Sequence, residues 1–165
     1  MLHLRMFISS RYFFTNTVNR TMNRNVNRTV NKTTNRQMST MFFTESHEYL
    51  KYNSEKNIGT IGITNYAQES LGDVVFVESI ISNDTDVEKG EDIVEIESVK
   101  ATSAIYAPVD GKILEFNEKL EEESDLINKS AEDEGWIIKI EPKDTEQFND
   151  LMNKEEYDKF TKELD

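Results

Sequence analysis

The sequence predicts a mainly β fold, a sandwich or flattened barrel with one short internal helix and helices at its C-terminal end. Three observations carry this reading. Beyond residue 44, apolar residues fall in short runs of strand length, rich in Val, Ile and Tyr and separated by Gly, Asn and Asp. A pattern of turn, apolar run, acidic stretch and second apolar run occurs twice, once around Gly72 and once around Gly111. After Pro142 the spacing becomes helical behind two capping signals.

The elements follow in order. Residues 49–52 and 58–64 read as strands, joined as a hairpin through the polar segment NSEKN at 53–57. NYAQESL at 65–71 reads as a helical turn, capped by Thr64 or Asn65 and stopped by Gly72. Residues 73–80 form a strand rich in Val and Phe. Residues 91–98 and 102–107 are two more strands, joined by Val99, Lys100 and Ala101. Alternation along the first puts Ile93, Glu95 and Glu97 on one face and Val94, Ile96 and Ser98 on the other. Residues 111–116 and 136–141 complete the strands. GDVVFV at 72–77 matches DGKILEF at 110–116 in pattern, so two similar halves predict a pseudo-twofold sandwich with its midpoint near Lys100. DTEQ at 144–147 and NKEE at 153–156 resemble capping boxes and predict two short helices. Their apolar stripes, Phe148, Leu151 and Met152 and then Tyr157, Phe160 and Leu164, are expected to pack on the sheets.

Charge divides the chain. Of 165 residues, the first 40 hold no Asp or Glu but carry Arg5, Arg11, Arg20, Arg24, Arg28, Lys32 and Arg36. Removing those seven from 19 basic residues leaves 12 against all 32 acids, a net of −20 for the remainder. An Arg-, Ser- and Thr-rich start without acid predicts a mitochondrial transit peptide over residues 1–40, disordered and cut between Ser39 and Met41. The alternative is a basic nucleic-acid-binding arm, but an acidic body is a poor partner for a phosphate backbone. The apolar cluster from Met6 to Phe14 is too short and too basic to span a bilayer. Neither nucleic acid nor membrane is therefore an expected partner. Residues 41–142 are left as a β domain, with helices over 143–165 packed on it.

The chain has no cysteine and two histidines, of which His3 leaves with the leader and His47 remains. One imidazole cannot build a His-based triad or a multi-His metal site, and no thiol is present to act as nucleophile. Redox or acyl-transfer chemistry would have to come from a prosthetic group or a partner. Lys100, in the short link between two apolar strands, is hydrated, flexible and reachable by another enzyme, which suits an acylation site. It also suits a solubilising turn charge, and position alone leaves both readings open.

ESVKA at 97–101, inside IESVKATS at 96–103, resembles the lipoyl attachment motif of the glycine cleavage H-protein family. The resemblance runs on through His47 and Glu48 (followed by Tyr49 where Trp is common), GITNYAQ at 62–68, LGDVVFVE at 71–78, APVDG at 107–111, Asn117, Leu120, LIN at 126–128, Gly135, Trp136 and Tyr157. It covers residues 43–160. Val99 in front of Lys100 separates it from the DKA turn usual in lipoyl domains of 2-oxoacid dehydrogenases and the MKM turn of biotin carriers. Asp84, Ser124 and Glu132 stand where the family often has Gly, Pro and Tyr.

The resemblance implies a lipoyl-domain type of flattened barrel and sandwich, and a non-catalytic carrier with lipoate in amide linkage on Lys100. It implies three partners used in turn. A pyridoxal-phosphate decarboxylase (P protein) loads the aminomethyl group of glycine, a tetrahydrofolate-dependent aminomethyltransferase (T protein) removes it, and a dihydrolipoyl dehydrogenase (L protein) reoxidises the arm. Glu97, Ser98, Val99 and Ala101 are implied as the turn that lipoylating enzymes recognise. The loaded arm is expected to fold back into a cleft walled by Ile63, Tyr66, Ala67 and Leu71. The competing reading is a lipoate donor for other complexes without glycine cleavage. A stand-alone enzyme is disfavoured because no acid–base pair or nucleophile stands out.

Overall fold

The structure is a computed structural model that describes residues 39–164. Residues 1–38, which hold nearly all of the expected leader, lie outside the described residues.

Two antiparallel sheets enclose the main core, and a smaller cluster of Phe43, Tyr49 and Tyr157 lies apart from it. The larger has strand order β1 (Ser39–Phe43), β2 (Glu48–Asn53), β3 (Ile58–Ile63), β9 (Ile138–Pro142), β8 (Gly111–Phe116) and β5 (Asp86–Val87). The smaller has order β4 (Val74–Ser79), β6 (Asp92–Ser98) and β7 (Thr102–Tyr106). Neither closes into a barrel. The β2–β3 hairpin turns through Asn53, whose side-chain oxygen accepts from the Glu55 and Lys56 N–H groups, and Asn57 at φ 52°. The repeat is visible in the pairing: β4 joins β6 in one sheet, and β8 joins β9 in the other.

The core draws Leu50, Ile61, Ile113, Ile138 and Ile140 from the large sheet and Val77, Ile93, Val94, Ile96 and Ile105 from the small one. Burying each such side chain contributes about 1.5–3 kcal/mol. Strict alternation fails in β6. Pairing with β7 shifts between Asp92 and Val94, and this irregularity lets Ile93 and Val94 both be buried, whereas Glu95 and Glu97 stay outside. Ile93 therefore does not share the face of those two acids. Gly62 in β3 is required by packing, since a Cβ there would fall 2.6 Å from the Tyr49 hydroxyl lying across it.

Two helices were not expected from the acidic stretch: α2 (Lys119–Glu122) and α3 (Leu126–Ser130), which bury Leu120, Leu126 and Ile127. The C-terminal part is a 3-10 helix (Thr145–Asp150) followed by α4 (Lys154–Leu164). The second capping box forms in full: Asn153 and Glu156 each accept from the other's N–H, at 3.1 and 2.9 Å. The first does not. Gln147 turns away to bond Asp110, accepting from its N–H at 2.7 Å and donating to its carboxylate at 2.8 Å. The Lys89 N–H, then Gln147, hold that carboxyl below the usual range. Phe148 packs against Phe42 and Tyr52, and Tyr157 stacks on Phe43 at 4.5 Å. Leu151 and Met152 lie beyond the 3-10 helix, where Met152 bridges Phe43. Leu164, expected on the packed stripe, is exposed.

Candidate functional site

The β6–β7 link is a tight, self-bonded turn. The Ser98 N–H donates to the Ala101 carbonyl at 2.9 Å, and the Ser98 hydroxyl oxygen accepts from the N–H groups of Lys100 and Ala101, each at 3.1 Å. The Val99 N–H is tied to the Asp73 carbonyl, also at 2.9 Å. With its backbone spent on the turn, the link exposes the side chains of Glu97, Val99, Lys100 and Ala101. Ser98 is the one of the expected turn residues that serves as scaffold.

Lys100 lies back over the end of α1 (Asn65–Leu71), with its amine donating to the Ser70 carbonyl at 3.3 Å. Three local features permit this. Thr64 caps the helix start by accepting from the Ala67 N–H. Gly72 ends the helix at φ 77°, ψ −158°, a region that side chains rarely enter. A Cβ on Gly72 would stand 3.0 Å from the Lys100 Cε, so its absence makes the cradle for the lysine stem. Third, the Val74 N–H, which a continuing helix would aim at the Ser70 carbonyl, donates instead to Asn128 at 2.8 Å. Asn128 also donates to the Gly72 carbonyl and the Gln68 side chain, and so fixes the corner between α1 and β4.

Beside this corner runs a cleft of about 450 Å³. Ile63, Ala67 and Leu71 form one wall, with Ser70 at the lysine end, and all five residues of β7 form the other. Three of the four expected wall residues thus come together. Tyr66 does not line the cleft; its ring packs against His47, with centroids 4.7 Å apart. Ser46, His47 and the whole of β7 are wall residues that sequence reasoning missed. In the sequence, His47 and Glu48 stand out only as part of the resemblance. Glu48 is buried at the first position of β2, where alternation gives no hint of it. It accepts from the Thr44 hydroxyl and from the Tyr106 N–H, binding the β1–β2 turn to β7.

His47 sits at φ 71°, with its Nδ1 2.8 Å from the Tyr157 hydroxyl, which is in turn 2.8 Å from the Thr64 hydroxyl. Burial holds its pKa below the ordinary 6.5, against a smaller opposite pull from Glu48. As pH falls below 6.5 the unfolded chain takes up a proton that the folded chain resists, so stability drops across that window. The melting temperature is expected to fall more in the wild type than in His47→Asn between about pH 7.5 and about pH 5.5. Asn suits the left-handed backbone there. Parallel decline in both proteins would mean that His47 is not the group responsible.

The departures from the family pattern find local partners. Asp84 adopts the left-handed φ of 65° that its turn demands, and ion-pairs with Lys112. The Glu132 carboxylate accepts from the Asn65 N–H at the start of α1. The Ser124 hydroxyl donates to the Val74 carbonyl. Among the described residues, no helix is long and apolar enough to cross a membrane.

Fold and site together define a small β-sandwich that presents an exposed hairpin lysine beside a narrow cleft. Comparison with known proteins makes the class specific. The model of the glycine cleavage H-protein family matches residues 41–164, and the chain belongs to that family, whose members are non-catalytic lipoyl carriers of the glycine cleavage system. The chain is 47% identical over 118 residues to the glycine cleavage system H protein of Thermotoga maritima, covering 72% of this chain and 93% of that one. It is 44% identical over 128 residues to that of Rhodospirillum rubrum, covering 78% and 100%. The crystal structure of the Mycobacterium marinum H protein superposes with a TM-score of 0.67 at 28% identity, over 74% of this chain and 97% of that one.

Proposed function

We propose that this chain carries lipoate in amide linkage on Lys100 and works in the mitochondrial matrix. There it takes the aminomethyl group of glycine from the P protein to the T protein and reducing equivalents to the L protein. The supporting observation is the placement of Lys100 in an H-protein family chain: exposed at the hairpin, its amine at the mouth of the cleft. The residues present suit an acylated lysine. Gly72 leaves room for the stem, and Ile63, Ala67, Leu71 and Ile105 give an apolar wall for a hydrocarbon arm.

The lipoyl group, when bound, supplies the disulfide chemistry that a chain without cysteine lacks. The chain's own residues present and shelter it. The Ser98 turn sets Lys100 at the exposed tip of the hairpin, within reach of a lipoylating enzyme, with exposed Glu97, Val99 and Ala101 as the surface that enzyme reads. Tethering raises the effective concentration of the arm at successive active sites. The net charge of −20 beyond residue 40 steers the carrier towards basic partner surfaces.

The matrix assignment rests on the first 40 residues, with seven basic side chains and no acid. β1 starts at Ser39, so cleavage at Met41 would leave Met41–Phe43 of that strand in the mature chain. Intact and peptide mass spectrometry of the protein from its own mitochondria is the test. A lipoyl increment on the Lys100 peptide, with an N-terminus near residue 40, is expected. A bare Lys100 in lipoate-replete cells would overturn the attachment site, and a retained residue 1 would overturn the leader.

A further inference from the structure

The cleft runs along a strand edge. β6 and β7 pair antiparallel, with Ile96 opposite Ser103 and Glu97 opposite Thr102. Because Ser98 bonds Ala101 across the hairpin, the ladder bonds fall at Ser103 and Ile105, and the backbone groups of Thr102 and Ala104 point the other way. The Tyr106 N–H follows the same alternation and leaves the sheet to reach Glu48. β7 is an edge strand, and Thr102 and Ala104 both line the cleft. Among the described residues, its wall therefore offers backbone donors without a ladder partner.

The opposite wall offers an acceptor. The Ser70 carbonyl belongs to the last turn of α1, where helical carbonyls lack partners. Its natural donor, the Val74 N–H, is held by Asn128, and the Lys100 amine takes its place. Acylation turns that amine into a secondary amide, which keeps one N–H and gains a C=O. In a trans amide these point in opposite directions, which matches a cleft with an acceptor on one wall and a donor on the other. Thr102 opens β7 two residues beyond Lys100.

Resting on the reading of Lys100 as an acylated residue, we infer that the Ser70 carbonyl and the outward Thr102 N–H form an amide clamp. Ser70 accepts from the arm's N–H, Thr102 donates to its acyl oxygen, and the arm is thereby laid along the β7 edge into the cleft. The contacts are to the amide and not to the distal end, so the clamp recognises any straight acyl arm on Lys100. Turn and cleft thus act in sequence along the arm. Ser98 fixes where the lysine starts, and the clamp fixes the direction in which the arm runs.

The test uses protein with octanoyl-lysine installed at position 100 during synthesis. Octanoate is the sulfur-free parent chain of lipoate, and this route needs no acylating enzyme. Amide hydrogen exchange is followed residue by residue by NMR. The Thr102 N–H is expected to exchange about tenfold more slowly in the acylated protein, a change corresponding to about 1.4 kcal/mol. Ser103 and Ile105, already in the ladder, should not change. A second probe is Thr102→Pro, tolerated because Pro is accepted as the first residue of a strand. A carbon-13 label on the acyl carbonyl should shift upfield in that variant as its donor is lost. Unchanged Thr102 exchange on acylation, or an acyl carbonyl signal that ignores the substitution, would overturn the clamp while leaving Lys100 as the attachment site. Failure of enzymatic lipoylation at Lys100 would instead sink the attachment reading.

Discussion

Lys100→Arg is expected to give a protein that folds normally and carries nothing. The lysine is exposed, its amine donates to the Ser70 carbonyl, and a guanidinium can still donate to that oxygen. The change in unfolding free energy should therefore stay within about 0.5 kcal/mol, as for surface substitutions away from special features. Its effect on carriage should be complete. A guanidinium remains charged and planar and does not form the acyl amide. In a reconstituted glycine cleavage assay, turnover should drop to background, and the Lys100 peptide should show no lipoyl increment. Glu97→Gln makes a useful companion, because it removes a charge beside the turn while leaving the acceptor amine in place. If the Arg variant supported turnover, the arm would have to sit elsewhere, and the exposure of Lys100 would be only that of a solvated turn.

The strands and the internal helix were legible because their signals are local. Alternation and Gly-marked turns put β8 at its observed bounds, and a Thr cap with a Gly stop did the same for α1. The missed elements lack such signals. β1 begins with Ser39 and Thr40 directly after a basic tract, so composition drew the boundary inside it. The caps of α2 and α3, Glu118 and Asp125, make no side-chain cap bond, and their short helices are held by burying Leu120, Leu126 and Ile127. The misplaced capping box is a tertiary effect, since Gln147 finds Asp110, a partner far away in sequence.

The site divides in the same way. The attachment turn and one wall of the cleft were legible only through the family resemblance, since position alone leaves Lys100 open between an acylation site and a solvated turn. Ala67 and Leu71 stand four apart and face together once α1 is helical, Ile63 joins them from the end of β3, and Tyr66 is one step off that stripe. The β7 wall is a backbone edge. A property of unpaired N–H groups leaves no mark in side-chain chemistry, so only the pairing register exposes it.

Asn128 is the residue at which fold and site are most tightly joined, and Asn128→Ala is expected to show both. The side chain accepts from the N–H of buried Val74 and donates to Gly72 and Gln68. Truncation strands that N–H and the Gly72 carbonyl, which should cost about 2–3 kcal/mol by urea unfolding. Asn128→Asp should recover part of the loss through Val74, but it sets a carboxylate against the Gly72 carbonyl. The second consequence concerns the lysine. The Gly72 corner that cradles the lysine stem loses its Asn128 bond at the same time. The alanine variant should therefore lose order at the lysine as well as stability, seen as faster averaging of the Lys100 side-chain NMR signals in folded protein. A stability change under about 0.5 kcal/mol would mean that water replaces the amide at this corner. An ordered Lys100 in a destabilised variant would mean that Gly72 makes the cradle without Asn128.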